Sequence, residues 1–129
     1  MSVVDTYAWI EYFRGSNFGR AIKEEIEQND NLTPTIVIAE ISKVFTDLGR
    51  KDLEEKLDFI RSKSNVVDLD EATAISAGCI RSTMSHSGMG IVGCILLAVA
   101  RSYSVKVLTG DKHFKNLKEA KYFKSSGDE

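Results

Sequence analysis

The sequence predicts an α/β fold, specifically a three-layer α/β/α sandwich around a central parallel sheet. Short β-branched runs alternate with amphipathic helical stretches along the chain, the order expected of parallel strands covered on both faces. The stretch Ile91 to Ala100 contains no charged residue and reads as a fully buried central helix. With 129 residues, 43% hydrophobic and 28% charged, the chain can build one core and is too short for two domains. A single folding unit is expected over residues 1–123, with Lys124 to Glu129 as a frayed tail.

Ser2-Val3-Val4 is a short strand closing at Asp5, and the aromatic-rich helix Tyr7 to Phe13 follows until Gly15 stops it. Ser16 or Asn17 can cap a second helix carrying Phe18, Ala21, Ile22 and Ile26 at helical spacing, which gives a helical hairpin ending in the polar turn Gln28 to Asn31. Leu32 to Thr35 is extended around the only proline, Pro34. A helix then follows with Val37, Ile41, Val44, Phe45 and Leu48 on its apolar side and Gly49 as its left-handed stop. Leu53, Leu57 and Ile60 mark a fourth helix that ends before Ser62.

Asn65 to Leu69 reads as another strand, and Asp70 can cap a helix with Ala72, Ile75, Cys79 and Ile80 on one face. The polar, glycine-rich segment Ser85 to Gly90 separates it from the central helix. Val105 to Thr109 is a last strand, followed by the turn Gly110-Asp111 and a helical piece from Phe114 to Lys118.

No apolar run approaches the ~20 residues that cross a bilayer, and the N-terminus has no basic flank and apolar core of a signal peptide, so a soluble, cytoplasmic chain with no membrane partner is expected. The net charge of −2 excludes a global basic field for nucleic acid, so any such contact must be local. Cys79 and Cys94 lie in apolar helical segments without metal-ligand spacing and read as two reduced, buried thiols.

Ligands of open parallel sheets bind beyond the carboxyl ends of the strands. Asp5 closes the first strand and Asp111 lies just past Val107-Leu108-Thr109, while Glu40 is the only acid in Ile36 to Ile41, near the start of a helix leaving the same edge. Each has a local reading: Asp5 as a cap, Asp111 as a turn residue, Glu40 as a solvated side chain. Brought together, they repel. Two like charges ~4 Å apart cost on the order of 4 kcal/mol at an effective dielectric of ~20, and a hard cation such as Mg²⁺ or Mn²⁺ is the ordinary compensation. Such a cation can position water against a phosphodiester.

These motifs resemble the PIN-domain family, in particular its small single-domain toxins of the VapC type, over almost the whole chain. Val3-Val4-Asp5-Thr6-Tyr7-Ala8-Trp9 is similar to the family's first strand with its metal-binding Asp; Thr33-Pro34-Thr35-Ile36-Val37-Ile38-Ala39-Glu40 is similar to the segment that delivers its Glu; and Leu108-Thr109-Gly110-Asp111-Lys112-His113-Phe114 is similar to its closing Thr-x-Asp-x-x-Phe motif. The resemblance implies a Mg²⁺- or Mn²⁺-dependent endoribonuclease, usually a homodimer, acting on RNA and held inactive by a cognate antitoxin protein. It carries over Asp5, Glu40 and Asp111 as catalytic metal ligands. Thr6 and Thr109 carry over as candidates to support those ligands, beside their plain reading as a helix-start and a strand-end hydroxyl.

One position departs from the family pattern. An Asp is usual early in the buried helix, and here Gly93 stands in its place within Gly90-Ile91-Val92-Gly93-Cys94-Ile95. Glycine inside a helix costs ~1 kcal/mol relative to alanine, so propensity does not explain it. Three carboxylates can hold one ion with waters, but a second position would be poorly furnished. Weakened cleavage is expected; the alternative is a catalytically silent PIN fold that binds an antitoxin peptide or RNA. Arg14 and Lys112 are nearest in sequence to the carboxylates and are candidates for substrate binding beside their reading as solvated charges. His86 and His113 read as bystanders, and Tyr7, Trp9, Tyr12 and Phe13 as core or dimer surface.

Overall fold

The computed structural model describes residues 1–28 and 30–124. The expected tail falls outside the described residues, apart from Lys124. The strands are β1 (Ser2–Val4), β2 (Asn31–Pro34), β3 (Ser64–Val67), β4 (Lys106–Thr109) and β5 (Ala120–Tyr122). The helices are α1 (Thr6–Arg14), α2 (Asn17–Ala21), α3 (Lys23–Gln28), α4 (Thr35–Asp47), α5 (Leu53–Lys63), α6 (Glu71–Thr83) and α7 (Ile91–Tyr103).

All five strands join one sheet in the order β3-β2-β1-β4-β5, with every pairing parallel. From β1 the chain steps outward through β2 to β3, then crosses back to β4 on the other side of β1. Right-handed crossovers in opposite directions place their helices on opposite faces. Hence α1 to α5 cover one face and α6 and α7 the other, which gives the expected three layers. The direction of travel reverses between β1 and β4, so the crevice outside their carboxyl ends is the topological switch point of the sheet.

Local chemistry fixes most boundaries. Asp5 and Ser16 cap α1 and α2 by accepting from the N–H groups of Ala8 and Gly19, and Asp70 caps α6 by accepting from Thr73. Gly15 ends α1 in the left-handed region, at φ 65°. The chain turns at Ile22, so the expected second helix is two short ones, with Phe18, Ile22 and Ile26 buried and Ala21 exposed.

Val3, Val4, Trp9, Ile41, Ile60, Leu97 and Leu108 are among the fully buried side chains of the core. A polar thread runs through it. The Trp9 indole donates to Thr33 Oγ1 at 3.1 Å, and the Ser64 hydroxyl donates to the Ile60 carbonyl at 2.8 Å. The Thr33 hydroxyl therefore donates to Ser64 Oγ, 2.7 Å away, and among the described residues no buried side-chain polar atom lacks a partner.

Several expectations are corrected. The buried face of α6 is Ala77 and Ile80, with Thr73 and Met84 half-buried or flanking it, so Ala72, Ile75 and Cys79 face outward and only Cys94 is a buried thiol. Leu48 is exposed at the end of α4. The start of α7 is open, with Ile91 exposed and burial complete only from Cys94 to Ala100. The helical piece after Asp111 is a single 3-10 turn, Lys112–Phe114, and β5 was not foreseen.

Candidate functional site

Asp5, Glu40 and Asp111 line one cleft of about 330 Å³ at the switch point, together with Thr6, Gly93, His113 and Phe114. Asp5 leaves β1 with its backbone N–H on the Leu108 carbonyl of β4, at 3.3 Å. Its carboxylate is buried and accepts from the Ala8 N–H at 2.7 Å and from the Thr109 hydroxyl. The cap and the site are therefore the same carboxylate. Burial above all, with Asp111 and Glu40 adding like charge, pushes Asp5 from 3.8 up to about 6, against the lowering by its two hydrogen bonds.

Glu40 reaches the cleft from the second turn of α4, half-buried, and its Oε1 accepts from Thr6 Oγ1 at 2.5 Å. Asp111 begins the 3-10 turn after β4. Its N–H donates to Thr109 Oγ1 at 3.0 Å, and its Oδ1 accepts from the His113 N–H at 2.9 Å and lies 2.7 Å from His113 Nδ1. Thr109 thus bridges Asp5 and Asp111 with one hydroxyl, donating to the first and accepting from the second. Thr6 and Thr109 each hold a carboxylate in place.

His113, read from sequence as a bystander, lines the cleft, while His86 does not. The signal was present in the Asp-x-His spacing, because an Asp at the head of a tight turn accepts from the N–H two residues on and so draws that side chain toward itself. Arg14 belongs elsewhere. It sits at the far end of α1, roughly 12 Å along the helix from Thr6 at 1.5 Å per residue, and is paired with Glu11 at 2.8 Å. Lys112 lines a neighbouring cleft instead of the acidic one.

Gly93 lies in the cleft wall, half-buried. A Cβ at this position would stand 2.8 Å from Met89 Cγ, 3.2 Å from Met89 Sδ and 3.6 Å from Phe114 Cε2. Met89 and Phe114 are buried, so apolar atoms already fill the space a side chain would need. Sequence reading missed this contact; its one trace was an apolar Met89 inside an otherwise polar, glycine-rich turn.

The donor set is three carboxylates with hydroxyl support and no Lys or Arg in the cleft wall. Among the described residues, no three His, Cys, Asp or Glu side chains are gathered tightly enough to cage a metal ion as they stand. The bonds to Thr6 and His113 each engage only one oxygen of Glu40 and of Asp111. A buried carboxylate under like-charge pressure, faced by two further hard oxygen donors, fits one divalent cation that keeps part of its water shell.

Residues 2–120 match the PIN domain family. The chain belongs to the PIN-domain family. No curated protein matches it in sequence. Among solved structures it is similar to a chain of a toxin-antitoxin complex from Klebsiella pneumoniae, with a TM-score of 0.75 at 17% identity over 93% of this chain and 95% of that one. It is also similar to a chain of VapBC2 from Rickettsia felis bound to a promoter DNA fragment, with a TM-score of 0.72 at 15% identity over 92% and 94%. DNA-bound VapBC from Salmonella typhimurium gives 0.66 at 19% identity over 95% and 98%. At these identities the likeness establishes the shared PIN fold. Among the described residues, no helix of this PIN domain is long and apolar enough to cross a membrane.

Proposed function

We propose that this PIN domain is the toxin of a toxin-antitoxin pair, an endoribonuclease that cuts RNA phosphodiesters with Mg²⁺ or Mn²⁺ held by Asp5, Glu40 and Asp111. One observation carries the reading: three carboxylates from distant parts of the chain line one cleft at the switch point, and one of them, Asp5, is raised to about 6 by its burial above all, with like charge from the other two adding to it. When bound there, a hard divalent cation supplies charge stabilisation for the phosphodiester and activates water.

The chain's own residues do the positioning. Thr109 fixes the relative placement of Asp5 and Asp111, Thr6 fixes Glu40, and His113 holds Asp111 Oδ1. The main-chain N–H of Ala8 fixes the second contact of Asp5. Asp5, at about 6, is also placed to hold or release a proton at its carboxyl group within the physiological range.

The antitoxin reading is supported by the assemblies in which the solved relatives were found. An aromatic groove of about 700 Å³ between α1, the α2–α3 pair and α5, with Tyr12, Phe13 and Phe59 in its wall, offers an apolar seat for such a partner. For a second copy of this chain, the outward stripe Ala72, Ile75 and Cys79 of α6 offers a further apolar surface beside the first-helix aromatics expected from sequence. The filled space beside Gly93 favours a second reading, a silent PIN fold that only binds antitoxin or RNA.

Cleavage of a mixed single-stranded RNA substrate by the intact protein and by Asp5→Asn, with Mn²⁺ and with chelator, decides between them. The nuclease reading expects cutting that chelator stops and that Asp5→Asn loses by a factor of about 100 or more. Equal cutting by both proteins removes Asp5 from the chemistry, and no cutting by either leaves the binding reading in place.

A further inference from the structure

Tyr7 is an aromatic residue of the catalytic cleft that the carboxylate chemistry does not use. The other aromatics of α1 pack among themselves and on α5, with Trp9 stacked on Phe13 at 5.7 Å and Tyr12 on Phe59 at 5.6 Å. Tyr7 stands apart from that cluster. It lines the cleft that holds Asp5, Glu40 and Asp111, and it is 38% exposed. Among the described residues it is the one large exposed apolar side chain in that wall.

Its position follows from the start of α1. Successive helical residues point about 100° apart, so Thr6 and Tyr7, both just beyond Asp5, turn to different neighbours of β1. Thr6 reaches Glu40 on the helix that follows β2, whereas Tyr7 reaches Gly110, which follows β4. A Cβ on Gly110 would stand 3.1 Å from Tyr7 Cε1 and 2.6 Å from Phe18 Cε2, so the bare backbone there lets both rings close on the turn that carries Asp111. Phe18, 2% exposed, meets Tyr7 in a T-shaped contact with centroids 4.9 Å apart. An edge contact of this kind fixes a ring without the cover of a face-to-face stack. Tyr7 is therefore held in place and still presents surface to the cleft.

The cleft has no Lys or Arg among its described lining residues, so phosphate ion pairs are not what would hold a strand at this point. A π-face needs no charge. Every base has one, and stacking on an aromatic side chain recognises unpaired bases whatever their sequence. Val92 and Leu96 line the same cleft and extend its apolar surface. A base already stacked and paired in a duplex cannot be offered in this way, which selects single strands.

We propose that Tyr7 is the stacking platform for the nucleobase next to the phosphodiester presented to Asp5, Glu40 and Asp111, and so a substrate-binding residue selective for single-stranded RNA. The platform rests on the nuclease reading for its substrate.

The test is fluorescence anisotropy, in chelator, of the intact protein with a short end-labelled single-stranded RNA and with the same RNA made abasic at each position in turn. Tyr7→Leu keeps an apolar contact for Phe18 but has no π-face, and Tyr7→Phe keeps the face without the hydroxyl. Tyr103→Leu removes another exposed tyrosine, at the far end of α7. Tyr7→Leu should bind about tenfold more weakly, and Tyr7→Phe should recover that loss. Tyr103→Leu should match the parent. One abasic position should cost the parent about tenfold and cost Tyr7→Leu little, because both changes remove the same contact. In Mn²⁺ the loss in Tyr7→Leu should appear in KM more than in kcat.

A parent that binds and cuts RNA while Tyr7→Leu keeps its affinity, or shows no coupling to any abasic position, overturns the platform and leaves the nuclease reading standing. An equal loss in Tyr7→Phe also overturns it, since the hydroxyl would then carry the contact. A parent that binds without cutting, with coupling at one abasic position, supports the platform and removes the nuclease reading. A parent that neither binds nor cuts overturns both. Should Tyr7→Leu fail to fold, the parent decides: a photoreactive thiouridine at the abasic-sensitive position must crosslink to Tyr7, and crosslinks confined to other residues overturn the platform.

Discussion

Substituting Gly93 by Asp places a carboxylate where the sequence reading expects one and tests whether the site can accept it. The new Cβ would stand 2.8 Å from Met89 Cγ and 3.2 Å from Sδ, inside ordinary contact, and both Met89 and the flanking Phe114 are 1% exposed. Overpacking of this kind costs about 1–3 kcal/mol. Two smaller effects oppose it: a carboxylate in the first turn of α7 gains about 0.3–1 kcal/mol from the helix dipole, and leaving glycine recovers a few tenths. The new charge also joins the like-charge cluster around Asp5. Gly93→Asp should therefore be less stable than the parent by about 1–2 kcal/mol in urea unfolding. Met89→Ala alone leaves a cavity and costs about 2–5 kcal/mol, but it vacates the atoms that crowd position 93. The double variant should then be more stable than the two single losses predict, by about 1–2 kcal/mol, and should cut RNA faster than Gly93→Asp. A Gly93→Asp protein as stable as the parent, with effects that simply add to those of Met89→Ala, would refute the account of Met89 as the occupant of the space a side chain at position 93 needs.

Stability should also report the strain on Asp5. Its folded value of about 6 lies above the unfolded 3.8, so between these limits the native state binds more protons, and stability falls as pH rises from about 4 to about 6. The fall is about 3 kcal/mol for this group, and Asp5→Asn should remove it, as seen in metal-free urea midpoints against pH. Parallel curves for the two proteins would show that Asp5 is not strained. Gly19→Ala tests the α1–α2 approach: a Cβ there falls 2.1 Å from the Glu11 carbonyl oxygen and 3.0 Å from Tyr12 Cα, both backbone atoms that cannot turn aside. A loss of about 3 kcal/mol is expected, and a parental unfolding midpoint would disprove the close contact.

Local chemistry made much of the fold legible. Asp5, Ser16 and Asp70 announce helix starts because a cap needs only the next three residues, and Gly15 and Gly49 announce stops because each bears a positive φ. β5 was not legible, since Ala120-Lys121-Tyr122 has no periodicity of its own and becomes a strand by pairing with β4. The face of α6 was misread for a related reason. Ala72, Ile75 and Cys79 have the spacing of an apolar stripe, but the pairing of α6 with α7 selects Ala77 and Ile80 for the interior. Within the cleft, strand-end position singled out Asp5 and Asp111, whereas the contacts of His113 with Asp111 and of Met89 with Gly93 join segments whose approach no local pattern encodes.

The sequence by itself determined the alternation of strands and helices, the caps, and which acids stand at strand ends, because those features arise from interactions within a few residues. Only the tertiary structure decided that the three carboxylates share one cleft, that Thr109 links two of them, that apolar atoms fill the wall at Gly93, and that the Tyr7 ring lines the same cleft. Each of these depends on side chains from distant segments meeting under the constraint of parallel register and close packing, and that constraint exists only once the sheet has formed.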